Sequence, residues 1–172
     1  SGKAQRHAPE LAALYRAVSG AELKPLLFAV HTYYALLMKL LAVELASLQT
    51  GALVGSVVAG LGVAEDQGLR RDLTDLENGG TFRLLGINNF LEGDFFGWYL
   101  DAWNDQLGDG IRALARALAH YEPATGTLEP EYTRDLLKKL YQYLVPRNLR
   151  HDLGEYYTPD WLAERLLVQV GY

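Results

Sequence analysis

Apolar residues recur at steps of three and four along most of the chain, which is the spacing of one face of an α-helix. Pro25 suits a first helical position, because the first turn of a helix does not use the missing N–H. The pattern therefore predicts a long helix that begins at Pro25. Its apolar face consists of Leu26, Leu27, Val30, Tyr34, Leu37, Leu41, Leu45 and Leu48.

Strand signals are nearly absent, since no Asn-Gly or Asp-Gly turn is flanked by alternating apolar residues. The predicted fold class is therefore all-α, as a single multi-helix, bundle-like domain. Stop signals such as Asn78-Gly79-Gly80 separate its helices. Besides the long helix, the predicted helices span 8–18, 51–63 (buried), about 64–77, about 98–107, 109–121, 131–144 and 159 to about 170.

Composition limits the classes of function. The chain has 172 residues, of which 49% are hydrophobic, and its net charge is −5. This charge argues against a dedicated nucleic-acid-binding protein, so any DNA contact must come from a local patch. The absence of cysteine excludes disulfides and thiolate metal sites. Because His31, Lys39 and Glu44 interrupt the apolar stretch at 26–48, we expect no membrane span. The absence of cysteine is compatible with the cytoplasmic location that we expect.

Two segments can be explained by packing alone. Gly60-Leu61-Gly62 contains a GxG pattern without the strand–helix context of a dinucleotide site, so we interpret it as close helix packing. Residues 86–110 combine many aromatics with five acidic residues and no Lys or Arg. Trp98, Tyr99 and Trp103 are interpreted as packing anchors beneath a solvated surface of Glu92, Asp94, Asp101, Asp105 and Asp109.

The only sustained positive stretch runs from 136 to 151 and contains no acidic residue. Its four cations are Lys138, Lys139, Arg147 and Arg150. Such a patch can contact DNA phosphates, although a charge run is also typical of a solvated helix face.

The segment "GEYYTPDW" at 154–161 combines a helix start with two tyrosines. Thr158 is predicted to be the N-cap of the last helix, and Pro159 its first residue. Asp160 in the first turn favours the helix dipole. The segment is therefore either a well-capped helix and nothing more, or a platform on which a helix N-terminus and aromatic rings hold a ligand.

This segment resembles motif X, the Tyr/Phe-Thr-Pro element at the N-terminal edge of N6-adenine DNA methyltransferases of restriction–modification and phage-defence systems. "HTYYALLMKLLA" and "GINNFLEGDFFGWYLDAW" are similar to the upstream helical region of large single-chain members. The resemblance implies that Gly154, Tyr157, Thr158 and Pro159 contact the methionine part of S-adenosylmethionine. Tyr156 is a neighbouring candidate.

The resemblance also implies a domain plan. Residues 1–150 would form the helical domain, and 151–172 the start of the methyltransferase domain. The family's glycine-rich cofactor motif and its Asn-Pro-Pro-Tyr element are absent from this chain, and the family places both downstream. We therefore expect a fragment whose last helix leads into a catalytic domain, and we assign no catalytic residue and no metal ligand.

The parent protein would transfer a methyl group to N6 of a flipped adenine in double-stranded DNA. A nuclease or specificity domain would be its partner. The chain alone is expected to be inactive. The alternative is a non-catalytic helical protein–protein interaction module that uses the aromatic and acidic surface at 90–109.

Overall fold

A computed structural model describes residues 2–18, 20–51, 55–88, 95–120, 139–140, 142–155 and 158–171. Within these ranges the chain forms helices and no strand, which confirms the all-α prediction. The chain divides into two compact units: Ser1–Phe28 with Lys138–Tyr172, and Ala29–Leu137. The domain boundary near residue 150 stays a prediction.

Helices account for most of the described residues. In chain order they are α1 (Gly2–Gln5), α2 (Ala8–Leu14), α3 (Leu23–Thr50), α4 (Val57–Val63), α5 (Asp66–Glu77), α6 (Gly80–Leu84), a 3₁₀ helix (Phe95–Leu100), α7 (Asp105–His120), α8 (Arg147–Leu153) and α9 (Asp160–Gln169). Residues 139–140 and 142–144, just before α8, are also helical.

Several predicted helices have different bounds. α2 ends at Leu14 instead of at residue 18, and α7 begins at Asp105 instead of at residue 109. α3 begins at Leu23, so Pro25 is its third residue, where the N–H would still lack an intrahelical acceptor. The buried helix predicted at 51–63 is wrong in extent, because α4 starts only at Val57 and Val63 is 81% exposed. The helix predicted at about 98–107 is also wrong. Asn104 starts a new helix there, since its Oδ1 accepts a 3.0 Å hydrogen bond from the Leu107 amide.

The second unit has a continuous apolar core contributed by α3 to α7 and the 3₁₀ helix. Side chains from the central part of α3 pack there with α5 and α7. Its buried members are Leu36, Leu40, Val43, Val58, Leu61, Leu69, Leu73, Leu76, Phe82, Leu85, Tyr99, Ile111 and Ala115.

A buried ion pair joins three elements of this unit. Lys39 of α3 lies 2.6 Å from Glu77 Oε2 of α5, and both residues are less than a tenth exposed. Tyr99 of the 3₁₀ helix donates its hydroxyl to the other carboxylate oxygen at 2.8 Å. Each charged group is therefore compensated by a hydrogen-bonded partner inside the core.

Two side chains cap α4 at its N-terminus. Ser56 accepts a hydrogen bond from the Ala59 amide, and the buried Glu44 of α3 accepts one from the Val58 amide. Because the first amides of a helix lack intrahelical acceptors, these contacts fix where α4 begins.

By length and composition, Leu23–Leu48 could cross a membrane, and half of its most apolar window is buried inside the structure. Its charged residues Lys39 and Glu44 bind Glu77 and the Val58 amide respectively. These contacts are typical of a core helix.

α4 and α7 approach each other closely at Gly62. A Cβ at this position would lie 2.8 Å from Arg116 Cγ and 3.3 Å from the Arg116 amide nitrogen. Arg116 also donates a hydrogen bond to the Gly62 carbonyl at 2.9 Å. The GxG pattern therefore serves close helix packing at its second glycine, whereas Gly60 faces open space.

We expect Gly62→Ala to lower the free energy of unfolding by about 1–3 kcal/mol, because the added methyl overpacks the contact with α7. Gly60→Ala on the same helix should be neutral or stabilise by up to about 1 kcal/mol, the helix-propensity gain. Urea unfolding of both variants measures the difference. Equal effects would contradict the packing role of Gly62.

Candidate functional site

α8 leads the chain into the predicted cofactor segment. Its apolar residue Leu149 is fully buried, whereas Arg147 on the same helix is exposed. The helix ends at Gly154, which has a positive φ of 76°. The Glu155 amide then donates to the Arg150 carbonyl at 2.9 Å, in the manner of a glycine C-cap. Gly154 thus has a backbone role in the turn itself.

The Tyr-Thr-Pro element follows directly. Tyr156 and Tyr157 lie outside the described residues, and Thr158 and Pro159 are exposed. The prediction that Thr158 is the N-cap is wrong, because Pro159 has an extended ψ of 142° and is itself the N-cap. Its carbonyl accepts the amide of Leu162 at 2.9 Å. The helix therefore starts at Asp160, whose position in the first turn is as predicted.

α9 has no buried residue, although more than half of its sequence is apolar. Leu162 and Ala163 are half-buried. Apolar side chains that usually form a core are open to solvent on this helix, which is typical of a surface that binds something else. The large exposed ones on α9 and just after it are Trp161, Leu166, Leu167, Val168 and Val170.

The four predicted DNA-binding cations have different environments. Lys138 lies outside the described residues, and Lys139 and Arg147 are exposed. Arg150 is half-buried, and its Nε donates to the Val145 carbonyl at 3.1 Å. Lys139 and Arg147 therefore suit phosphate contacts, whereas Arg150 also holds the turn before α8.

A polar cluster ties α8 to the N-terminal residues of the same unit. Asp152 Oδ2 lies 2.8 Å from an Arg6 guanidinium nitrogen and 2.9 Å from His7 Nε2. The other nitrogen of the His7 ring faces Glu10 at 3.4 Å. The hydrogen bonds from His7 and Arg6 lower the pKa of Asp152 to about 2. No local sequence pattern indicates this cluster, because about 145 residues separate Asp152 from His7.

Trp98, Tyr99 and Trp103 of the aromatic segment at 86–110 were predicted to be packing anchors. Tyr99 is 2% exposed, and Trp103 packs against the core while its Nε1 donates to Asp66 at 2.9 Å. Trp98 is different, because 39% of it remains exposed although its Nε1 donates to Thr32 Oγ1 at 2.8 Å. Two of the three aromatics are therefore mainly packing anchors.

The acidic residues of this segment are partly described. Asp101 and Asp105 are exposed, as a solvated surface requires. Asp109 pairs with Arg112 of the same helix at 2.8 Å. Glu92 and Asp94 lie outside the described residues. The described part of the chain holds no group of three or more His, Asp or Glu side chains that could bind a metal ion.

Comparisons with protein-family profiles, curated proteins and solved structures find no match. The resemblance to adenine methyltransferases stays a prediction, based on the residues at 154–159 and on the two upstream stretches.

The cluster at Asp152 predicts a specific acid sensitivity. Because the folded-state pKa is about 2 and the ordinary value is 3.8, the contribution to stability is complete above about 3.8. It is lost as the pH falls from there towards 2, where the folded-state carboxylate becomes protonated. Thermal melting of the wild type and Asp152→Asn should therefore differ most above about pH 4 and converge towards about pH 2.

Asp101→Asn is the matched control, since Asp101 is exposed and outside this cluster. The melting temperature of Asp101→Asn should equal that of the wild type at every pH. A constant gap between wild type and Asp152→Asn from about pH 5 to about pH 2 would contradict the assigned role of the ionised carboxylate.

Proposed function

We propose that this chain is the helical domain of an adenine-specific DNA methyltransferase of a restriction–modification system and that it supplies one wall of the S-adenosylmethionine site. The observation that carries the proposal is the exposed apolar surface of α9, directly after the Tyr-Thr-Pro element. In the proposal, this surface packs against the cofactor-binding domain. A cytoplasmic location follows, because the substrate is cellular or invading DNA.

The position of the element suits a cofactor wall. Thr158 and Pro159 are exposed, and the first amides of α9 lie just beyond them. A carboxylate such as that of the methionine part is favoured near a helix N-terminus, where amides and the helix dipole are both positive. Gly154 turns the chain from α8 into this segment.

DNA contact is assigned to the exposed cations of the 136–151 stretch. Lys139 and Arg147 are open to solvent, so each can approach a phosphate without giving up a buried partner. Neutralising two phosphates would make binding salt-dependent, since counterions leave the DNA. The net charge of −5 limits this contact to the local patch.

The chain alone should neither methylate DNA nor bind S-adenosylmethionine tightly, because the proposal assigns most of the pocket to another domain. Incubation with labelled S-adenosylmethionine and adenine-containing duplex DNA measures this. Transfer of label by the chain alone would contradict the division of roles.

In the parent protein, Thr158→Ala should weaken S-adenosylmethionine binding by about tenfold, the loss of one hydrogen-bonded contact worth about 1.4 kcal/mol. Thr74→Ala is the control, because Thr74 is an exposed helical threonine whose hydroxyl donates to the Arg70 carbonyl of its own helix. Titration calorimetry measures both affinities. Unchanged affinity in Thr158→Ala would remove Thr158 from the site.

The interaction-module alternative has one specific observation in its favour, the 39% exposure of Trp98 within the aromatic segment. If Trp98→Ala releases a partner protein from the parent while Thr158→Ala leaves cofactor affinity unchanged, this alternative replaces the proposal.

A further inference from the structure

A cavity of about 380 Å³ lies within the second unit, between α3, the 3₁₀ helix and α7. Its floor is formed by Leu36, Tyr99 and Ile111, all less than a tenth exposed. Its mouth is formed by Tyr33 and Trp98, which are 41% and 39% exposed. The size falls within the usual range of small-molecule sites, which is about 300–1,000 Å³.

The cavity is preformed, because two of its three aromatic residues, Trp98 and Tyr99, are held at their polar ends. Trp98 Nε1 donates to Thr32 Oγ1 at 2.8 Å, and the Tyr99 hydroxyl donates to Glu77 at 2.8 Å. To collapse into the empty space, either ring would have to break a hydrogen bond that is partly or fully buried. Ordering the site on binding therefore costs a ligand little free energy.

The lining determines which ligands fit. Among the described residues, no Asp, Glu, Lys or Arg lines the cavity, so a charged group on a ligand would lose its hydration without gaining a partner. Tyr33 and Gln106 line the cavity and are both exposed, and within the described part of the chain neither side chain has a hydrogen-bond partner. Aromatic rings at the mouth favour edge-to-face or offset contacts with a flat ring.

We propose that this cavity binds an uncharged, flat aromatic molecule that carries one hydrogen-bonding group, with the ring against Leu36, Tyr99 and Ile111 and the polar group near Tyr33 and Gln106. This assignment is independent of the proposed cofactor wall, which lies in the other unit of the chain.

Gly110 of α7 provides a position at which the lining of the cavity can be enlarged. It lines the cavity, and a Cβ built there meets no atom within 4 Å, so Gly110→Leu adds volume without a clash at Cβ. Gly68 of α5 offers the matched control, because its Cβ is equally unobstructed and it does not line the cavity. Ala29→Leu adds volume from α3, so the test does not depend on one variant.

The probe is 2-naphthol, titrated into the chain by calorimetry, with 2-naphthalenesulfonate as its charged counterpart. We expect saturable one-site binding of 2-naphthol and binding of the sulfonate weaker by about tenfold or more, the equivalent of burying a poorly compensated charge. Gly110→Leu and Ala29→Leu should each weaken 2-naphthol binding by about tenfold or more, since each adds a leucine side chain to the lining of the cavity. Gly68→Leu should bind as the wild type does.

Absence of saturable binding to the wild type would overturn the proposal. Equal affinity for the sulfonate would also overturn it, because the site would then not select uncharged ligands. The proposal would also be overturned if Gly110→Leu, Ala29→Leu and the wild type bound 2-naphthol with equal affinity. If one cavity variant fails to melt cooperatively, the other decides the result.

Discussion

The buried pair of Lys39 and Glu77, with the Tyr99 hydroxyl on the same carboxylate, sets the register of the second unit. It joins α3, α5 and the 3₁₀ helix through contacts of 2.6 and 2.8 Å. Removing one member of such a pair leaves an uncompensated charge in the core, which typically costs about 3–5 kcal/mol. A slip of α3 by one turn would have the same consequence, so the polar contacts allow only one alignment of the apolar face. The same network also holds Tyr99 as the floor of the cavity.

Elements defined by periodicity could be predicted from the sequence, and elements defined by polar contacts could not. The apolar repeats of α3 and α7 indicate these two helices, because burial at steps of three and four is a local property. The start of α7 depends on Asn104, whose side chain caps the Leu107 amide and divides the single helix expected there. α8 was missed because it has only one fully buried residue, Leu149, and so no periodic signal.

The candidate site shows the same difference between local features and contacts that are distant in sequence. The helix start near Pro159 could be predicted locally, since a helix N-terminus has residue preferences of its own. The left-handed turn at Gly154 was not predicted, because it ends α8, which was itself missed. The contacts of Asp152 with Arg6 and His7 could not, because they join segments from opposite ends of the chain. What remains without an explanation inside the described chain is the exposed apolar surface of α9, and the cofactor-wall proposal supplies one.

The most direct test is hydrogen–deuterium exchange of the proposed parent protein with and without S-adenosylmethionine. We expect slower exchange of the backbone amides at 155–158 and 160–163 when the cofactor binds, since this segment would lie against the methionine part. Amides of α5 in the other unit should exchange at the same rate in both states. Cofactor binding that leaves exchange at 155–158 and 160–163 unchanged, or a parent protein that does not bind the cofactor, would contradict the account.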